Sequence, residues 1–393
     1  MIGDAVEVSD SNFDPAIPMA PGDRKRILVI GGGIAGISLA YELARSHQVS
    51  VVEAEAVLGY HATGRSAAMY VANYGNGAIR ALTRASHGFL RTPPAGFCET
   101  SILRPRETLY IANEAQADAL ACEEYAALDL LSVGQVRARV PMLRPSAVVA
   151  GRLDRDSAEI EVDLLHQCYA RAARARGAVL SLGVRVEAAT WAGSFWSVQT
   201  SAGTVEADIV VNAAGAWADR IARLFGAAPA GLVPMRRTAV LIDPPAGLDL
   251  DTLPMVMTAE EDLYFKPDAG LLMVSPADET PVEPCDAQAE EWDVAVAIDR
   301  LQHHCDIDVR HVRHRWAGLR TFAPDRSPVV GHDDALPGFF WFAGQGGYGI
   351  QIAPALARLG TILLDDRAGN VDADHALSLI ADFSPRRSSD RRG

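Results

Sequence analysis

Apolar residues along this chain follow two periods, and the switches between them mark its elements. Apolar runs of strand length lie at 26–30 and 49–53, and the segment between them reads as helical from Gly36. Tract 163–176 has the clearest helical spacing. Leu164, Leu165, Cys168, Tyr169 and Ala172 share one face, arginines hold the other, and Gly177 ends it. Segments 178–182 and 185–188 read as strands. Another strand at 208–212 runs through Ala213-Ala-Gly215 into a helix over 217–225, and 338–343 is a buried-strand pattern leading to a helix that ends at Leu364. Stretches 90–150 and 230–310 are different: proline-rich, with alternating tracts at 238–242 and 263–266 that suit antiparallel strands. The pattern predicts an α/β chain. A Rossmann-like, doubly wound domain is expected from 24–90, 151–230 and 311–375, with an antiparallel-β substrate domain from 91–150 and 231–310 inserted into it. A ligand site is expected at their junction.

Composition narrows this picture only a little. With 393 residues the chain exceeds one compact core, and 49% hydrophobic with 22% charged residues is ordinary globular usage. A net charge of −14 argues against a nucleic-acid surface. The five cysteines include no C-x-x-C pair, so idle thiols in a reducing compartment are expected, and the ten histidines show no metal-ligand spacing. Residues 1–23, acidic and proline-bearing, read as a disordered extension and not a signal peptide; 376–393 reads as a flexible tail. No apolar stretch is long enough to span a bilayer. The expected location is the cytoplasm, either free or peripheral to the inner face of the membrane.

Chemistry enters at Gly31, Gly33 and Gly36. Their G-x-G-x-x-G spacing follows the first strand and opens the first helix, and Glu53 lies 22 residues after Gly31 at the end of the second strand. Such glycines serve a tight turn, close approach to a pyrophosphate, and helix-on-strand packing, while the acid takes ribose hydroxyls. The helix start directs N–H groups at phosphate. A second glycine-rich turn, 344–349, again precedes a helix, too far along to be the same phosphate loop. Two such sites suit the two ends of one long cofactor, FAD, whose reduced ring carries negative charge that a helix N-terminus stabilises.

Further segments carry a resemblance: 58–68 (LGYHATGRSAA), 94–99 (PAGFCE), 212–217 (NAAGAW), 263–270 (LYFKPDAG), 316–320 (WAGLR) and 345–351 (QGGYGIQ). Together they resemble the D-amino-acid oxidase superfamily of FAD enzymes, within it the bacterial D-amino-acid dehydrogenase branch that includes D-arginine dehydrogenase. The likeness spans about 27–364 and implies a glutathione-reductase-like two-domain fold. It implies that Ala35, Ala54, Ala62, Thr63, Gly64, Arg65, Ser66, Ala67, Ala68 and Met69 wrap the cofactor, with Val186, Gly215, Gly346, Gly347, Tyr348, Gly349, Ile350 and Gln351. The position where some branches attach flavin through cysteine aligns with Gly318, which implies non-covalent FAD.

For the substrate, the resemblance implies that Arg320 and Tyr264 clamp a carboxylate, with Arg237 lending charge and Tyr74 at the active site. Gly347 would meet the substrate through its carbonyl and Gln351 through its side chain. Adjacent Arg236 and Arg237 face opposite ways on a strand, so one enters the cleft. Departures matter too. Thr108 stands where the D-arginine enzyme has an acid, with Glu107 turned away, and Met69, Val71, Met255 and Met257 make a soft apolar wall. The expected reaction is oxidative deamination of neutral or hydrophobic D-amino acids to 2-oxo acids and ammonia, by hydride transfer from Cα to flavin N5. Two other readings stay open: oxidation of a secondary amine or a 2-hydroxy acid, and a flavin-binding module without turnover. The electron acceptor, O2 or a quinone-like molecule, is undecided.

Overall fold

The computed structural model describes residues 24–122, 125–365, 383–385 and 387. Its first sheet has six strands, in the order Val329–His332, Phe339–Ala343, Ile209–Asn212, Arg26–Ile30, Gln48–Glu53 and Val179–Leu182. Every pairing is parallel except that of the first two. Its central strands are apolar throughout because both faces are covered. Ile27 and Val29 face the helices Ile34–Leu43, Val162–Ala175 and Gly349–Leu364. Leu28 and Ile30 face Trp196 and Val198 of a three-stranded antiparallel sheet, and Phe225 of helix Ala218–Phe225. Strand order runs outward both ways from Arg26–Ile30. The carboxyl ends of this strand and Ile209–Asn212 therefore flank the crevice where ligands sit in such sheets.

The second sheet has nine strands. Its spine is a long antiparallel ribbon, Val233–Ile242 against Val312–Phe322. Beyond it lie Leu271–Ser275, Tyr264–Asp268, Met255–Thr258, Thr108–Ala112, Ala150–Asp154 and Asp129–Leu131, with Thr280–Pro281 at one edge. Helices Glu291–His304 and Val133–Arg139 bury Leu301, Ala297 and Val136 against it.

Two expectations change. Residues 312–322 and 151–154, assigned from sequence order to the dinucleotide portion, pair into the second sheet. Those ladders join strands far apart in sequence, which local pattern does not report. The expected face of helix Val162–Ala175 packs into the first core, with Leu164 and Ala172 at its half-exposed edge, and His166 and Ala173 are buried beside it. The expected loose tail is ordered at 383–387 where it is described: Phe383 is fully buried, and Arg387 pairs with Asp325 at 2.6 Å. Residues 1–23 and most of 376–393 lie outside the described residues. Among the described residues no helix is long and apolar enough to cross a membrane.

Gly31 sits at φ +114°, where an added Cβ would stand 2.4 Å from the Ala213 carbonyl oxygen. Gly31→Ala is therefore expected to cost about 1–3 kcal/mol through strain and overpacking. Thermal unfolding of wild type and variant measures it, and an unchanged midpoint would contradict the turn described.

Candidate active site

The loop after the first strand is built by contact. Gly31 turns between the two central strands, and at Gly36 a Cβ would lie 2.0 Å from the Gly31 carbonyl oxygen, so only glycine lets the helix close on the strand. Gly33 caps helix Ile34–Leu43 without a side-chain bond. The Ile34 N–H donates to Thr63 Oγ1 at 3.0 Å. Glu53 is fixed at its strand end: Oε2 accepts from the Gly32 N–H at 2.6 Å and Oε1 from the Glu55 N–H at 2.8 Å. Below the loop, His166 Nε2 lies 3.0 Å from the Gly32 carbonyl. Burial pushes the His166 pKa down, so the ring is a neutral donor there. Sequence reasoning passed over His166; a polar residue inside the helix's buried stripe was the available signal.

The segment 62–68 lies across this loop. Ala62 precedes the short 3₁₀ turn Thr63–Arg65. Gly64 N–H donates to Gly59 O at 2.8 Å, and Ala68 adopts φ +62° with its N–H on Ser66 Oγ. Arg65 ties the segment to the second sheet, donating to the carbonyls of Ala287 (2.8 Å) and Ala317 (3.0 Å) and to Asp286.

A cleft of ≈ 560 Å³ runs along this surface. Glu53, Ala54 and Val186 line one part, Gly31, Gly33, Ala35, Ala62, Thr63 and Gly215 another, and Arg65, Ser66, Ala67, Gly346, Gly347, Gly349 and Ile350 the rest, with Tyr264 and Arg320. Gly36 and Gly64 stand behind the lining as packing positions. Helix Gly349–Leu364 begins here with no capping side chain, leaving its first N–H groups for a ligand. A second cleft of ≈ 800 Å³ shares Ser66, Ala67, Arg237, Tyr264, Arg320, Gly347 and Ile350, and is walled by Met69, Val71, Tyr74, Tyr110, Met255, Met257 and Tyr348.

Where the clefts meet, the ribbon supplies the charge. Arg237 opposes Gly318 and Met235 opposes Arg320, so Arg237 and Arg320 rise from one face of the pair. Arg236 points the other way, to Glu290 and to Asp293 at 3.0 Å. Room for Arg320 comes from Gly347, where an added Cβ would lie 2.9 Å from the guanidinium. Burial alone would lower the Arg320 pKa, but Tyr264 and Tyr74 hold it above its ordinary value. Burial would raise Tyr264; the charges of Arg320 and Arg237 bring it below the usual tyrosine range instead. Arg237 is already engaged: Nε donates to the Asp278 carbonyl at 2.7 Å and Nη2 to Glu279 at 3.1 Å. The Tyr74 ring meets Tyr348 edge-on at 5.1 Å.

Three residues differ from expectation. Thr108 is fully buried and lines neither cleft. Tyr110, two positions on and so on the same strand face, reaches the second cleft in its place. Gln351 contributes to the wall, but its amide is spent: Oε1 accepts from the Val71 N–H and Nε2 donates to Thr83 Oγ1, each at 3.0 Å. These bonds brace the wall from Val71 and Thr83. Tyr348, expected at the cofactor, faces the second cleft beside Tyr74 and Arg326.

This arrangement fits FAD. The glycine loop and a helix start whose Ile34 N–H alone is held, by Thr63, suit a pyrophosphate, Glu53 suits a ribose, and a second helix start with no capping side chain stands at the far end, beside a charged arginine. The geometry is that of a flavin-dependent oxidoreductase. Residues 26–361 match the family described as DAO, FAD dependent oxidoreductase, and the chain belongs to that family. Glycine oxidase of Geobacillus kaustophilus is 26% identical over 361 residues, covering 87% of this chain and 93% of that protein. Mouse mitochondrial dimethylglycine dehydrogenase is 24% identical over 86% of this chain, which spans only 42% of that relative's length. Among solved structures, the Geobacillus glycine oxidase superposes with a TM-score of 0.79 at 23% identity, covering 92% of this chain and 99% of the other. An L-proline dehydrogenase from P. horikoshii gives 0.78 at 20% identity, over 94% and 98%.

Arg320→Met is expected to weaken binding of a non-reacting carboxylate by about 10- to 150-fold, the 1.5–3 kcal/mol of a charged hydrogen bond. Titration of the flavin absorbance with that ligand measures it; unchanged affinity would remove the carboxylate clamp. A second expectation concerns pH. A lowered Tyr264 pKa means that its tyrosinate forms before those of Tyr70 and Tyr348, both raised to about 12 by burial. Ultraviolet titration of Tyr264→Phe should lack the earliest step.

Proposed function

We propose that this protein oxidatively deaminates D-amino acids with neutral or hydrophobic side chains, giving 2-oxo acids and ammonia. One observation carries the reading. Arg320 stays charged, touches no carboxylate among the described residues, and stands where the dinucleotide cleft opens into a methionine-lined cavity. A charge so placed is stabilised by an incoming carboxylate.

In this reading Arg320 and Tyr264 fix the substrate carboxylate, and the Gly347 carbonyl accepts from the amine in its neutral form. Met69, Met255 and Met257 pack the side chain, and Tyr74 and Tyr348 close the wall around it. Bound non-covalently, FAD supplies the acceptor for the hydride of Cα. No cysteine lines either cleft among the described residues, so the cysteine attachment of some branches has no partner there. The resulting imine hydrolyses in water, so the chain's work is positioning and electrostatics, with no nucleophile required. The D configuration rests on the resemblance of segments such as 58–68 and 345–351 to the D-amino-acid dehydrogenase branch.

A second reading is favoured by the relatives: glycine oxidase and dimethylglycine dehydrogenase are named for glycine and its N-methyl derivative. The same arginine and tyrosine would hold these acids. The two separate in one experiment, anaerobic bleaching of the flavin band by D- and L-amino acids, glycine, sarcosine and dimethylglycine. D-Met and D-Phe are expected to reduce the flavin fastest, with kcat/KM above that for D-Arg. Reduction by glycine or its N-methyl derivatives alone would establish the second reading, and a large D-Arg advantage would overturn the methionine-wall argument. An oxygen challenge afterwards distinguishes O2 from a quinone-like acceptor.

A further inference from the structure

We infer that Glu279 determines which acids the substrate cleft accepts: by occupying Arg237 it leaves Arg320 as the guanidinium offered to a carboxylate, and so excludes substrates bearing a second carboxylate. The inference deepens the amino-acid reading above and rests on it.

Four arginines line the substrate-side cleft. Arg300 donates to the carbonyls of Asp262 and Pro276. Arg326 places Nη1 and Nη2 on the two oxygens of Glu279, at 3.0 and 2.8 Å. Arg237 reaches the same carboxylate at 3.1 Å. Arg320 alone of the four has no carboxylate or carbonyl partner within hydrogen-bond distance among the described residues.

Glu279 is held in this role from several sides. Arg326 adopts φ +62°, a left-handed conformation unusual for a side-chain-bearing residue, and its guanidinium lies 3.9 Å over the Phe322 ring. Burial would push the Glu279 pKa up, but Arg326 and then Arg237 hold it below the usual carboxylate range, so the charge persists. The adjacent Asp278 bonds the Thr238 N–H and hydroxyl, which anchors the segment to the ribbon.

Without Glu279 both Arg237 and Arg326 would join Arg320 as available cations, Arg237 being the one that shares its ribbon face. Arg237 and Arg320 are diagonal neighbours on one face of the ribbon, a relation that separates backbones by roughly 7–8 Å. Two guanidinium groups so spaced suit both carboxylates of a small dicarboxylic amino acid. Glu279 cancels one of them and repels the second anion, so specificity comes from an added repulsion as well as a lost attraction.

The test is Glu279→Gln, which keeps shape and removes charge, with Glu279→Asp as the charge-keeping control. Binding of propionate and of glutarate to the holoprotein is read from the flavin absorbance, and KM and kcat are measured for D-Glu and D-Met. In Glu279→Gln the glutarate-to-propionate Kd ratio is expected to fall roughly tenfold or more, as for one charged hydrogen bond gained. KM for D-Glu should fall with it while the kcat ratio of the two substrates holds. Glu279→Asp should keep the wild-type ratio, and adding both Arg237→Met and Arg326→Met to Glu279→Gln should restore it. An unchanged ratio, or equal weakening of both ligands, would overturn the inference. If no D-amino acid reduces the flavin, the amino-acid reading fails separately, because the two binding constants still report on Glu279.

Discussion

A guanidinium kept charged in a confined place, with no acid in contact, organises this molecule. Arg320 is half-exposed at the cleft wall, where Tyr264 and Tyr74 lean toward it and Gly347 gives it room. The long ribbon exists in the right place to deliver it. The strand Val312–Phe322 runs from exposed residues at its start to the buried junction, so one element reaches from solvent to the meeting of the two clefts. The site thus arises from the seam between two sheets, each folded around a core of its own.

How much of this was legible in the sequence depended on whether the relevant physics was local. The turn at Gly31 and the packing at Gly36 were readable, since each glycine answers a steric demand within a few residues of chain or one strand away. The same holds for the placement of Glu53 at a strand end and the opposite facing of Arg236 and Arg237, which follows from the two-residue period alone. Long-range register was not readable. Nothing within 312–322 says that it lies against 233–242, and so the tract was given to the wrong sheet. Thr108 failed for a related reason: an aligned position gave the strand and its face, but the depth along it decided that Tyr110 and not Thr108 reaches the cleft.

Gln351 and His166 show the other limit. Side-chain amides and imidazoles bond equally well to a ligand or to backbone, and sequence does not say which. Here Gln351 spends its amide on Val71 and Thr83, and His166 spends its ring on the Gly32 carbonyl. Each holds an element that lines the site, Gln351 from the wall itself and His166 from behind the first loop. Such residues are conspicuous in sequence because they are polar amid apolar neighbours, yet their work is to make surrounding glycine and alanine backbone rigid.

The ordered stretch near the end of the chain deserves its own consequence. Arg387 grips the carboxylate of Asp325 and the carbonyl of Ser327, the residues on either side of Arg326, while Phe383 plugs into the first core. The rim of the cleft is thereby moored to the carboxyl-terminal region of the polypeptide. Changes at Phe383 or Arg387 would be felt at the mouth of the cavity, whereas changes at Arg24, beside the outer end of the first strand, would lie away from it.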